Sequence, residues 1–406
     1  MTSCRGCGHA GVQTVLSLGE QPLANALLAE DQLDGAEQRY PLDLAFCASC
    51  ALAQTTVSIP PEELFTDYLY FSSYADAVTS NAKMLVHRVL GRRRLGSDSL
   101  VMEVASNDGY LLKHYAQAGI PVLGIDPARN VAADAEAAGV PTLTAFFGHD
   151  VAEQLRREGR RADVLHANNV LAHVPDVNGV ISGISRVLAD DGVAIVETPY
   201  VRDLVEKLEF DTIYHEHLFY YSLTSFRSLL NRHGLEVVDA ERIPIHGGSL
   251  RVYAADSGTA AVAPAVDQLL AEERELGMSE IGYFEGFTAR VNDLCAKLVE
   301  LLDGLAADGA RIAAYGAAAK GTVLLNAAGV DARRIEFVAD RNPHKQGSYM
   351  PGVHVPVVGP EAISDRMPDY LLVLAWNFAE EVIGQQSEYA ARGGRFIVPV
   401  PRPTIV

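Results

Sequence analysis

The densest group of titratable side chains in this chain is Asp211-Thr-Ile-Tyr214-His215-Glu216-His217. Histidine titrates near neutral pH, so it can take a proton without a large change in its own affinity. An adjacent carboxylate can orient the ring, and a phenol hydroxyl can stabilise an enolate oxygen. The set suits removal of a proton beside a carbonyl, with His217 as base and Glu216 and Tyr214 assisting. The HEH triplet makes a poor metal site, because neighbouring side chains diverge on a strand and on a helix alike.

A second chemical signal is the loop Glu103-Val-Ala-Ser106-Asn107-Asp108-Gly109. It follows an apolar run, where a doubly wound sheet holds its ligand at the carboxyl end of a strand. A dinucleotide site would carry GxGxxG there, to bring backbone amides against a pyrophosphate. Carboxylates instead repel a pyrophosphate and suit a ligand with a cationic sulfonium, an amino group and hydroxyls. Asp126 ends the next strand and can accept from ribose hydroxyls, Phe146 and Phe147 follow the third, and Asn168 and Asn169 end the fourth. Their order on successive strand ends favours S-adenosylmethionine over NAD.

Cys4-x2-Cys7 and Cys47-x2-Cys50 are two correctly spaced thiol pairs, and paired CxxC turns suit tetrahedral zinc. Four thiolates close the coordination shell, so the expected role is structural. Cys295, in a helical stretch, is expected to fill a helix core.

A third loop, Tyr315-Gly-Ala-Ala-Ala-Lys320-Gly-Thr322, joins a strand to a helix. Small residues let backbone approach a ligand, a helix N-terminus favours anions, and Lys320 adds a full charge. It is not a Walker loop, which needs GxxxxGK[ST]. His246-Gly247-Gly248 could line a cleft between domains, and Trp376-Asn377, on another strand end, could stack on a base or sugar.

These groups need elements to position them. Residues 1–66 read as a small loop-and-strand unit around zinc, punctuated by Gly and Pro, and are followed by the aromatic and hydroxyl cluster DYLYFSSY and a helix over about 75–91. From Ser99, strands alternate with helices: SLVMEV, VLGID, PTLTAF, ADVLHANN and GVAIVET. Such alternation predicts a parallel, doubly wound α/β sheet. EVVDAERI and SLRVYAAD read as a strand pair, two helices fill 263–308, and a second α/β alternation starts at RIAAYG. The expected division is 1–66 zinc binding, 67–240 a doubly wound α/β unit binding the methyl donor, and 241–406 a second α/β unit.

Taken in order, the paired CxxC motifs, E-x-x-S-N-D-G-x-L, Y-x-E-H, H-G-G and K-G-T-x-x-x-N resemble the sugar C-methyltransferases of antibiotic deoxysugar biosynthesis, over essentially the whole chain. The resemblance implies an S-adenosylmethionine-dependent, zinc-containing enzyme acting on a dTDP-linked 4-keto sugar at C3 or C5, with C3 expected here. It implies a central Rossmann-like methyltransferase domain over 67–240 and a C-terminal Rossmann-like domain over 241–406 that holds the nucleotide sugar. It implies that the final histidine of Y-x-E-H, His217, is the base. It also implies that Tyr68, Tyr70, Ser72 and Ser73 line the sugar pocket, that Tyr70 or Tyr214 holds the enolate, and that Lys320 and Thr322 lie near the diphosphate.

A net charge of −19 argues against nucleic acid as a partner. No apolar stretch is long enough to cross a bilayer and no signal peptide is visible, so a cytoplasmic monomer or weak homo-oligomer is expected. The competing readings are an O- or N-methyltransferase of the same sugar class, an NAD-dependent oxidoreductase, and a zinc-stabilised scaffold without chemistry.

Overall fold

The computed structural model describes residues 3–60, 71–74 and 76–406. Tyr68 and Tyr70 lie outside the described residues. Three sheets follow one another along the chain. β1 (Gln13–Pro22), β2 (Arg39–Cys47) and β3 (Leu52–Thr55) form an antiparallel meander. Cys4 and Cys7 precede β1, and Cys47 and Cys50 sit at the β2–β3 turn, so the meander brings the thiols together.

The central sheet begins with β4 (Val101–Val104), β5 (Val122–Ile125), β6 (Thr142–Leu143), β7 (Ala162–Asn168) and β8 (Leu188–Pro199), all parallel. β4, β5 and the middle of β7 are buried on both faces, which is why they read as continuous apolar runs rather than alternating ones. β9 (Phe219–Tyr220) then leaves this unit and pairs with Ala53 and Gln54, as the fourth strand of the zinc-domain sheet. β10 (Leu235–Ile243) and β11 (Ser249–Asp256) are an antiparallel hairpin whose second strand pairs with β8. The strand order is β10-β11-β8-β7-β4-β5-β6.

The expected boundary at 240/241 falls inside β10, whose hairpin with β11 joins the central sheet. A strand's sheet is set by distant pairing, here Arg251 against Glu197, whose side chains form a buried ion pair at 2.8 Å.

The two predicted helices, Pro264–Glu275 and Phe287–Ala307, connect to the last unit, and Cys295 is buried in the second. Glu273 of the first is fully buried and accepts from the backbone N–H groups of Leu223 (2.6 Å) and Thr224 (2.8 Å). It thereby satisfies two amides that the start of helix Leu223–Asn231 leaves without partners. β12 (Ile312–Tyr315), β13 (Val338–Ala339), β14 (Val357–Val358), β15 (Tyr370–Val373) and β16 (Arg395–Val398) are parallel, and β17 (Thr404–Ile405) closes the edge antiparallel. One continuous apolar core runs from Cys4 to Val400 through all three sheets. Among the described residues, no helix is long and apolar enough to cross a membrane.

Candidate functional site

The Sγ atoms of Cys4 and Cys50 lie 3.6 Å apart, as do those of Cys7 and Cys47, and all four fall within 4.8 Å of one another. Tetrahedral zinc with bonds of about 2.3 Å needs sulfur–sulfur edges of roughly 3.8 Å. The residues present fit the metal, and their four sulfurs complete its shell.

A cavity of about 980 Å³ opens between the zinc-domain loop, the carboxyl end of the central sheet and the carboxyl end of the last sheet. Tyr214, Glu216 and His217 all line it. His217 Nδ1 lies 2.9 Å from the Thr212 carbonyl oxygen, which can only accept. In the neutral ring Nδ1 therefore carries the proton, and Nε2 is the basic nitrogen. The Tyr214 hydroxyl donates to Nε2 across 2.7 Å.

The expectation that Glu216 orients the histidine is corrected: the Thr212 carbonyl does so. Glu216 accepts instead from the Asn25 amide at 2.6 Å, an interaction brought in by the zinc domain. Burial pushes its carboxyl up to about 7, with Asn25 and Lys345 pulling the other way. His215 points elsewhere, to the Tyr40 carbonyl at 3.3 Å.

On the central-sheet side, Asn107, Asp126, Phe146, Phe147, Asn168 and Asn169 line the cavity. The rest of the predicted loop supports them. The Glu103 carboxyl is buried and held well above the usual carboxylate range by desolvation and by Asp108 and Asp126. Ser106 packs directly on Gly124 of β5, where a β-carbon would not fit. Asp108 accepts from the Ser73 backbone N–H at 3.1 Å, and Asn107 Oδ1 accepts from the Ser72 N–H at 2.9 Å. Gly109 turns at φ +75°, where a β-carbon would be strained and would sit 3.0 Å from Val140. Ala105 and Asn107 also adopt left-handed φ values of 53° and 50°, strain of the kind that collects at ligand sites. Glu103, Ser106, Asp108 and Gly109 lie behind the residues that line the cavity.

On the far side, Lys320, Asn377, Asp340, Arg341 and Lys345 line the cavity, and Ser72 and Ser73 line it from the central domain. Three expectations are corrected. Thr322 donates to the Ala24 carbonyl at 2.9 Å, a buried tie to the zinc domain. Trp376 does not face the cavity: its indole N–H donates to Asp211 at 2.6 Å and Lys320 Nζ covers its ring at 4.6 Å. Gly247 packs on Glu209, whose Oε1 would lie 2.6 Å from a β-carbon there; the glycines of H-G-G let backbone approach buried carboxylates. The His246 side chain lies outside the described residues.

Sequence reasoning also missed His173, whose ring meets that of His217 edge-on at 4.7 Å and which burial pushes down to about 4. It follows Asn168 and Asn169 by a few positions, so the strand-end signal lay close to it.

Comparison with known proteins bears on this arrangement. Family descriptions match along the chain: a zinc binding domain over residues 4–65, a methyltransferase domain over 74–240 and a C-methyltransferase C-terminal domain over 244–401. The C-methyltransferase NovU of Streptomyces niveus is 40% identical over 404 residues, 99% of this chain and 96% of its own length. The chain belongs to the C-methyltransferase family. It is an S-adenosylmethionine-dependent methyltransferase with a zinc-binding domain, and the oxidoreductase and scaffold readings fall away. Among solved structures, magnesium protoporphyrin IX methyltransferase of Synechocystis with bound SAH is 19% identical, covering 44% of this chain and 83% of its own, at a TM-score of 0.36. An S-adenosylmethionine-dependent methyltransferase from Clostridium acetobutylicum is 12% identical, covering 44% and 91%, at 0.35.

Proposed function

We propose that this enzyme methylates C3 of a dTDP-linked 4-keto deoxysugar, after His217 removes the proton beside the ketone. The observation that carries the reading is the fixed tautomer of His217. Nδ1–H is held by the Thr212 carbonyl, so the basic Nε2 stands at the cavity wall with the Tyr214 hydroxyl against it.

The carbon–hydrogen bond breaks, its electron pair remains as an enolate, and the proton passes to Nε2, directly or through the Tyr214 oxygen. Tyr214 then has a hydroxyl to offer the enolate. Glu216, anchored at one oxygen by Asn25, presents its carboxyl to the sugar. Bound S-adenosylmethionine supplies a methyl group on a sulfonium; the new carbon–carbon bond forms as the sulfur–methyl bond breaks. Asp126, Phe147, Asn168 and Asn169 would hold that donor, on the loop supported by Glu103, Ser106, Asp108 and Gly109. Ser72, Ser73, Lys320 and Asn377 would hold the sugar nucleotide. Orienting both ligands across one cavity supplies much of the rate.

The test is carbon NMR of products formed from methyl-labelled donor and a panel of dTDP-keto sugars. It is joined by deuterium uptake beside the ketone when donor is withheld. His217→Asn should lower the uptake by about two to four orders of magnitude. A methyl group on oxygen or nitrogen, or undiminished uptake in the variant, overturns the reading.

A further inference from the structure

The turn Phe210–Thr212 carries the carbonyl that fixes His217, and several groups hold that turn. The Thr212 hydroxyl donates to the Glu209 carbonyl at 2.7 Å, and the Tyr220 hydroxyl donates to the Thr212 carbonyl at 3.0 Å. Asp211, between them, is fully buried and points away from the cavity toward the last domain. There its Oδ2 takes the Trp376 indole N–H at 2.6 Å. A buried carboxylate is costly unless it is paired, yet its partner comes from 165 residues away, from a strand end that lines the sugar-nucleotide side.

We infer that Trp376 and Asp211 are positioning residues, a clamp through which the C-terminal domain sets the Thr212 carbonyl and hence the orientation and tautomer of His217. This rests on the reading of His217 as base. The chain of contacts is short: indole N–H to Asp211, one peptide to Thr212, its carbonyl to Nδ1. Lys320 completes it, because its ammonium lies over the indole and its charge counters the burial that pushes Asp211 up to about 6. Lys320 also lines the cavity, so a ligand drawn to that charge acts on the same clamp. Trp376 is thereby assigned a role other than stacking on substrate.

The two roles predict different kinetics. Trp376→Phe keeps a large aromatic ring and deletes only the N–H. A stacking residue would tolerate that change, whereas loss of the clamp lowers kcat and donor-free deuterium uptake by about tenfold, with KM for the sugar nucleotide within about twofold. Asp211→Leu keeps size and removes the acceptor, and should reproduce the loss. The double variant should be no worse than the poorer single one, because both changes break one link. The acidic limb that His217 sets as base in the pH profile of uptake should move in both variants.

His217→Asn is run beside them. If it leaves uptake intact, the base assignment fails. If it abolishes uptake while Trp376→Phe, folded and zinc-loaded, keeps wild-type kcat, the clamp is wrong and the assignment stands. Should Trp376→Phe fail to fold, Asp211→Leu decides: wild-type uptake in that variant overturns the inference. A rise in KM with kcat unchanged also overturns it, and returns Trp376 to substrate binding.

Discussion

The two α/β units build their crevices alike and charge them oppositely. In the central sheet, Asp126 follows β5 and accepts from the backbone N–H of Asn107 in the loop after β4, and from that of Ala128 two residues on, both at 2.9 Å. In the last sheet, Asp340 follows β13 and accepts from the N–H of Ala317, in the loop after β12, at 2.7 Å, and from that of Asn342, two residues on, at 2.8 Å. The same carboxylate staples the same two loops. Around it the side chains differ. Glu103 and Asp108 surround the first staple, and Lys320, Arg341 and Lys345 line the cavity beside the second. Topology thus supplies the crevice, and a few flanking residues choose the sign of the ligand.

Breaking one staple at a time is the sharpest challenge to that comparison. Asp126→Ala should weaken binding of the donor product S-adenosylhomocysteine by about a hundredfold, through two lost charge-assisted bonds, and leave thymidine diphosphate nearly unaffected. Asp340→Ala should do the reverse. Calorimetry on both ligands checks this, and equal damage to both in either variant would end the idea of two separate crevices.

A smaller effect should follow from charge alone. Lys320→Met should weaken thymidine diphosphate by about tenfold and flatten its salt dependence, while S-adenosylhomocysteine affinity barely responds to salt in either protein. Titrations at low and high ionic strength decide it.

Between the crevices lie carboxylates with raised proton affinity, which give the smaller tests. Asn25→Leu removes the amide that favours the charged form of Glu216, so the acidic limb of the pH–rate profile should move to higher pH, with a several-fold loss at neutral pH. An unmoved limb would remove Asn25 from the picture. The smallest effect concerns stability. Burial raises Glu209 and Glu216 to about 7 in the folded protein, from an ordinary value of 4.5. The folded state then binds more protons than the unfolded state between those values. Their contribution favours folding at the acidic end and is lost as pH rises toward 7. Glu209→Gln with Glu216→Gln should reduce the fall in Tm between pH 5 and about 8 relative to the parent protein, as thermal melts would show.

What the sequence revealed depended on how local the signal was. Two CxxC pairs announce a metal because each knuckle is four residues long, and the acidic loop after SLVMEV announces a cationic ligand because strand and turn are contiguous. The Tyr214–His217 pair was legible for the same reason. Asn25 against Glu216, Trp376 against Asp211 and Asp340 against Ala317 were not, since 191, 165 and 23 residues separate the partners and only the fold joins them. Trp376 invited a stacking role because an aromatic at a strand end usually faces a ligand; a buried carboxylate claimed it instead. EVVDAERI read correctly as a strand, but nothing in its alternation says which sheet takes it in.

β9 carries a consequence for the enzyme as a heritable object. Two residues past His217, the chain becomes the outer strand of the metal-bearing sheet, paired with Ala53 and Gln54. Excising the first 60 residues would strip those backbone groups of their partners beside His217 and the cavity wall. The three units recur as separate matches along the chain, yet they cannot be traded like cassettes. A change of side chain along the cavity wall leaves that pairing in place; loss of the metal-bearing sheet does not.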